Sequence, residues 1–250
     1  MSDNENLQNA LRYDFAKRCF LDIADYDYIS ARTLFKNSCK DQSLIFMQQC
    51  IEKYLKAILL YNKRPSNNPV TKPIHDLKKL LKKCQDEVDG FNLSKVSIKF
   101  ILELNGIEHS RYLAYSYYGI DMWLFILDQC IWQLRIYAQP DMILYKQKIN
   151  KILAEGLEMY IGRPIIPNGE LERIFADRKS QNKILRGNLI WKNFFYGIKK
   201  KRSVKNVQRG FWAKNSPFNV GGDRQKKMLY ETVKDLVFIP KDMRIELEKL

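Results

Sequence analysis

Histidine is nearly missing from this 250-residue chain, which has two, His75 and His109. Its five cysteines, Cys19, Cys39, Cys50, Cys84 and Cys130, form no C-x-x-C pair. So few soft ligands leave little to build a zinc site from, and neither metal nor cofactor is expected. The cysteines read instead as buried free thiols of a reducing compartment. No apolar run reaches the roughly 18 to 20 residues of a membrane span, so no membrane partner is expected. Met1 to Asn9 is polar and lacks the basic and apolar regions of a secretory signal, which points to the cytoplasm. There is no phosphate-cradling loop either. Gly221-Gly222 lacks the flanking strand and the lysine that such a loop needs.

Acidic residues are also scarce where basic ones collect. The chain carries a formal charge of +15 and a pI near 9.5. From Arg178 to Lys227 there are 15 basic residues and one acid, Asp223. From Asp141 to Leu250 the balance is 24 basic to 12 acidic, and residues 1 to 140 hold the remaining +3. Such a field favours an anionic partner. The change in charge falls at Ala138-Gln139-Pro140-Asp141, where a proline ends a long helical pattern. Two regions are therefore expected, 1–139 and 140–250, the first able to fold alone.

The first region is periodic throughout. Leu11 to Phe35 carries Phe15, Cys19, Ile23, Tyr26, Ile29 and Leu34 mostly three or four apart, and these are the expected core face. Ser43 to Tyr61 carries Leu44, Met47, Ile51, Tyr54, Leu55, Ile58 and Leu59. Lys63 to Pro69 has the turn chemistry of a loop. Helices are expected again at His75–Cys84, Ser94–Leu104 and Asp121–Tyr137. The second region offers helical patterns at Met142–Tyr160, Glu170–Lys179, Lys226–Val237 and Lys241–Leu250. The fold class is all-α, an antiparallel helical bundle followed by a basic, mainly helical extension.

Three strings carry a resemblance. They are Ala24-Asp25-Tyr26-Asp27-Tyr28-Ile29-Ser30-Ala31-Arg32-Thr33-Leu34, Gln48-Gln49-Cys50-Ile51-Glu52-Lys53-Tyr54-Leu55-Lys56-Ala57, and His75-Asp76-Leu77. In that order they resemble the HEPN family, with its A-x-x-D-x-x-x-A-x-x-L first helix, Q-x-x-E-K-x-L-K-A second helix and H-D-L opening the third. The resemblance covers residues 20 to 139. His75, just after Pro73, falls at a helix start, where a capping or buried polar role is the plain expectation.

Membership of that family implies RNA or nucleotides as ligands, a homodimer, and a defence or toxin–antitoxin-like setting. Many HEPN proteins are metal-independent endoribonucleases with an R-x(4–6)-H motif, while others bind nucleotides or dock a nucleotidyltransferase. The matching stretch here is Arg111-Tyr112-Leu113-Ala114-Tyr115-Ser116-Tyr117-Tyr118. Arg111 and Tyr118 fit, but Ser116 stands where the histidine belongs. Serine has no acid–base pKa near neutrality and cannot replace imidazole as general base. His109 is the remaining alternative. On a helix it would point about 200° away from Arg111, and a break at Asn105-Gly106 could bring the two together.

A separate stretch interleaves cations with aromatics. Arg186, Lys192, Lys199, Lys200, Lys201, Arg202, Lys205 and Arg209 alternate with Trp191, Phe194, Phe195, Tyr196, Phe211 and Trp212. Cations neutralise phosphates, and exposed rings such as Phe211 and Trp212 can stack on unpaired bases. A single-stranded nucleic-acid surface is the leading expectation, with an acidic protein partner or a solvated helix face as the alternatives.

Overall fold

The structure, a computed structural model, describes residues 3–62, 75–105, 117–139, 166, 169–178, 182–193, 195–196, 211–219, 221–236 and 239–250. The helical pattern expected at Met142–Tyr160 lies outside the described residues. Helix α1 (Asp3–Ala16) runs through a π-helical turn (Lys17–Leu21) into α2 (Asp22–Lys36). Ser38 takes a left-handed φ of 64° in the three-residue turn to α3 (Lys40–Asn62). The short turn makes α2 and α3 antiparallel neighbours. Their polar contacts run in opposite directions along the two helices, with Ser43 Oγ donating to Ala31 O at 2.8 Å, Lys53 paired with Asp27 and Tyr54 with Asp25.

Helices α4 (Leu77–Glu87), α5 (Lys95–Asn105) and α6 (Met122–Tyr137) close the bundle. Their apolar stripes behave as the periodicity requires. Leu44, Met47, Ile51, Tyr54, Leu55 and Ile58 of α3 are fully buried, with Leu77, Leu80 and Leu81 beside them. Among the described residues no helix is long and apolar enough to cross a membrane.

The face expected for Leu11 to Phe35 is corrected. Of its six residues only Ile29 is buried, while Phe15, Cys19, Ile23 and Tyr26 are exposed. The buried face of α2 is Ala24, Asp25, Tyr28, Ile29, Ala31, Arg32 and Phe35. Two causes act together. The π-helical turn inserts a residue and rotates the helix beyond it, and the inward face carries an aspartate and an arginine that a hydropathy pattern assigns to water. The thiols are corrected in part. Cys50, Cys84 and Cys130 are buried, whereas Cys19 and Cys39 are exposed.

Beyond α6 come α7 (Glu170–Ala176) and α8 (Lys183–Ile190). Both feed the main core, into which Leu171, Ile174, Leu189, Phe195 and Tyr196 pack. Among the described residues, the one sheet in this helical scheme is a two-stranded antiparallel ladder, β1 (Tyr117–Ile120) with β2 (Phe211–Lys214). A smaller core of Phe218, Tyr230, Ile239, Met243 and Leu247 joins α9 (Asp223–Val233) to α10 (Lys241–Glu248).

Candidate functional site

His109, Arg111 and Ser116 lie outside the described residues, as do Lys199, Lys200, Lys201, Arg202, Lys205 and Arg209. What is described is where those two stretches end. The stretch with Arg111 runs into β1 and the basic stretch runs into β2. The ladder pairs Tyr117 with Lys214, Tyr118 with Ala213, Gly119 with Trp212 and Ile120 with Phe211. Tyr118, Phe211 and Trp212, expected at two separate sites, therefore share one ladder. Antiparallel pairing brings the two stretches in from opposite ends, about 10 Å apart. No sequence signal announced this ladder, because each strand is only four residues long.

The ladder is seated on the starts of α3 and α6 and the end of α2. Trp212 meets Phe35 and Trp123 edge-to-face, with ring centroids 5.8 and 6.0 Å away. Its ring also covers Gly119 so closely that a Cβ there would enter it. Lys40 Nζ sits 4.7 Å from the Trp212 ring and donates to Asp121 at 2.7 Å. Lys214 pairs with Asp41. Trp212 is thus a packing residue that fastens the ladder, which differs from the open stacking ring expected of it.

Two more residues of the expected nucleic-acid surface are described. Arg186 donates from Nε to Phe175 O at 2.9 Å and lies over the Phe175 ring, which fixes the turn after α7. Lys192 lies over Trp191, 5.1 Å from the centroid, with a left-handed φ of 49°. Phe195 and Tyr196 are buried, Phe195 stacked on Trp132.

The strings that carried the resemblance occupy two environments. Glu52 accepts from Lys56 at 2.6 Å, and its Oε1 lies 3.0 Å from His75 Nδ1. The capping role is corrected. Asp76 caps α4, accepting from Lys79 N at 3.0 Å, while His75 stays exposed. Asp25, by contrast, is buried with Arg135, and Tyr54 donates to its carboxylate. Arg135 reaches on to Glu172 of α7, which also accepts from Tyr196 at 3.1 Å. A second buried set lies beside it. Arg32 pairs with Asp128 and donates to the carbonyls of Asn188 and Trp191, and Asn193 Nδ2 donates to Tyr28 Oη at 2.8 Å. Sequence reasoning missed both sets. The signal was present as charged residues inside otherwise apolar helical stretches, Arg135 within Trp132-Gln133-Leu134-Arg135-Ile136-Tyr137 above all.

An antiparallel α2–α3 pair, the Glu52-Lys53-Tyr54-Leu55-Lys56 face and an aspartate-capped α4 stand together in one bundle. Residues 18–128 match the family model of the HEPN domain. The chain carries a HEPN domain. Searches of curated proteins and of solved structures returned no match. HEPN proteins act on or beside RNA and nucleotides, and they often dimerise. The matched span stops at Asp128, so Arg135, Glu172, Asn188, Asn193 and Tyr196 all lie beyond it. The buried charges of the HEPN domain are therefore completed by chain outside the family pattern.

These networks set an alkaline limit. Burial pushes the Tyr28, Tyr54 and Tyr196 phenols well above their usual value and Tyr61 up to about 12. A folded-state value raised above the unfolded value of about 10 favours folding fully below pH 10, and the contribution is lost as pH rises through the folded value. Alkaline titration followed by phenolate absorbance is expected to show the Tyr28, Tyr54 and Tyr196 hydroxyls ionising only as helicity is lost. Ionisation of all 14 tyrosines near pH 10 with helicity intact would contradict the network.

Proposed function

We propose that the chain binds single-stranded RNA or nucleotides, with Arg111 and the basic stretch Lys199–Arg209 supplying phosphate contacts. We also propose that Ser116 in the histidine position leaves it without the usual ribonuclease chemistry. The observation that carries this is the family match, whose span includes Arg111 through Tyr118. The charge balance of Arg178–Lys227 supports it, since 15 cations with one acid favour a polyanion. The setting proposed is defence or toxin–antitoxin-like, as is common in the family.

The test is binding of a labelled single-stranded RNA by the full chain across a salt series. Affinity is expected to fall steeply with salt, by about 0.7 log units per log unit of salt for each phosphate neutralised. Replacing Lys199, Lys200, Lys201 and Arg202 with alanine should flatten that slope by roughly two to four units. Arg111→Ala should weaken binding with the fold retained, as arginine in such a place is more often a contact than a core residue. Unchanged affinity in both variants would overturn the proposal. Cleavage in EDTA that His109→Ala abolishes would show an active ribonuclease instead.

A further inference from the structure

Residues 106–116, which include Arg111, connect Asn105 at the end of α5 to Tyr117 of β1. Residues 197–210, which include the basic stretch, connect Tyr196 to Phe211 of β2. Each is held at both ends. Asn105 Oδ1 accepts from Lys78 N at 3.3 Å, and the buried Tyr196 donates to Glu172 at 3.1 Å. The other end is common to the two, since Tyr117–Ile120 and Phe211–Lys214 form one ladder. Three residue steps separate Tyr117 from Phe211 along it, about 10 Å.

We infer, on the RNA-binding reading proposed above, that Gly119 and Trp212 are positioning residues: their contact holds the two chain entries at one spacing, so that a single RNA strand engages both. The contact is built for one ring. A Cβ on Gly119 would lie 2.6 Å from Trp212 Cη2 and 2.7 Å from Cε2, closer than packed carbon atoms approach. Gly119 does not have the left-handed φ of Gly90 or Gly221, so this glycine serves the ring and not a turn. Phe35 and Trp123 meet the same indole edge-to-face, and Lys40 Nζ lies 4.7 Å from its centroid. Gly119 is buried, and Trp212 packs against the main core. Both act through the strands they fix, without touching RNA. Trp212 thereby ties a strand inside the matched HEPN span to chain that lies beyond it.

Two binding segments at a fixed spacing make the second contact intramolecular, which raises affinity by about 10²- to 10⁴-fold without any new contact. Parting the strands leaves the anchors at Asn105 and Tyr196 in place. Each segment keeps its own phosphate contacts, and only the spacing between them is lost. RNA length separates the two effects. A stacked strand rises about 3.4 Å per phosphate. The outer phosphates of three nucleotides are then about 7 Å apart, less than the ladder, and those of twelve about 37 Å apart. Coupling can therefore favour the longer RNA alone.

The test is binding of labelled oligouridylates, three and twelve nucleotides long, by the full chain at low salt. The wild type is expected to bind the longer RNA about a hundredfold tighter or more. Gly119→Ala should weaken the longer RNA by about tenfold or more and leave the shorter within about twofold, with an unchanged far-UV spectrum. Trp212→Phe withdraws the outer part of the ring without adding volume, and should show the same pattern more weakly. Gly119→Ala combined with Trp212→Leu should recover part of the loss, because the smaller side chain makes room for the Cβ. An equal loss for both RNAs would make the contact merely structural and overturn the inference. So would unchanged affinity of Gly119→Ala for the longer RNA, or loss of the helical spectrum in both single variants. Those three results leave the RNA-binding reading standing, whereas a wild type that binds neither RNA would sink that reading and this inference with it.

Discussion

Arg135→Met is expected to destabilise the protein by roughly 3 to 5 kcal/mol, because it leaves two carboxylates buried without their cation. Asp25 and Glu172 both pair with Arg135, and all three are buried. Burial already pushes the Asp25 carboxyl upward, and Arg135 is the largest influence opposing it. Without that cation the folded-state value climbs further above the unfolded one. A carboxyl raised in this way favours folding fully below its unfolded value, near 3.9, and that contribution is lost as pH rises through the folded value. The deficit of the variant should thus be smallest in mild acid and largest at neutral pH. Urea unfolding at pH 5 and pH 7.5 reads both the size and the sign, and the thermal midpoint should drop by about 10 °C at pH 7.5. A variant as stable as the parent at neutral pH would mean that the triad is solvated or that Arg135 is replaceable. Adding Asp25→Asn and Glu172→Gln to Arg135→Met should recover part of the loss, since neutral amides cost less to bury than carboxylates.

The second large effect is expected on ending the chain after Gln139. The cut falls just past α6 and divides none of the described helices, so the fragment should keep a helical spectrum. Its stability should nevertheless fall by several kcal/mol. Leu171, Ile174, Leu189, Phe195 and Tyr196 leave the main core. Arg32 loses the Asn188 and Trp191 carbonyls, Tyr28 loses Asn193, and Arg135 loses Glu172. Each buried polar group left without a partner costs about 1 to 3 kcal/mol, and more if charged. The expected result is a shallow, weakly cooperative urea transition at lower midpoint. A transition as steep and as late as that of the full chain would show that the first 139 residues hold their own buried charges satisfied.

How far the fold was legible depends on what each element buries. Helix α3 buries aliphatic side chains against its neighbours on several sides, and its core face agrees with the pattern of Leu44 through Ile58, though it begins at Lys40 and not at the expected Ser43. The H-D-L string marked the start of α4, where Asp76 accepts the orphan amide of Lys79, a local interaction that needs no tertiary context. The α1–α2 run was read on the wrong side. Its inward residues include Asp25 and Arg32, and only their distant partners, Arg135 and Asp128, make burial tolerable. The ladder was invisible for a related reason. Tyr117–Ile120 and Phe211–Lys214 are separated by some ninety residues, and neither strand is long enough to show alternation.

The sequence by itself determined that this is a helical chain with a HEPN pattern and a strongly basic second half. Those properties are sums over residues or runs of neighbours, and each can be read without knowing what lies across the core. Only the tertiary structure decided which charges are inside, that Ile166, Leu171, Ile174, Leu189, Phe195 and Tyr196 complete the interior of the bundle, and that the strands after Arg111 and after the basic stretch pair with each other. It also decided that Leu7, Leu11 and Phe15 face outward. The physical reason is the same throughout. A charge can be buried, and an apolar stripe left exposed, only according to what a distant segment brings against it, and that pairing is a property of the folded chain.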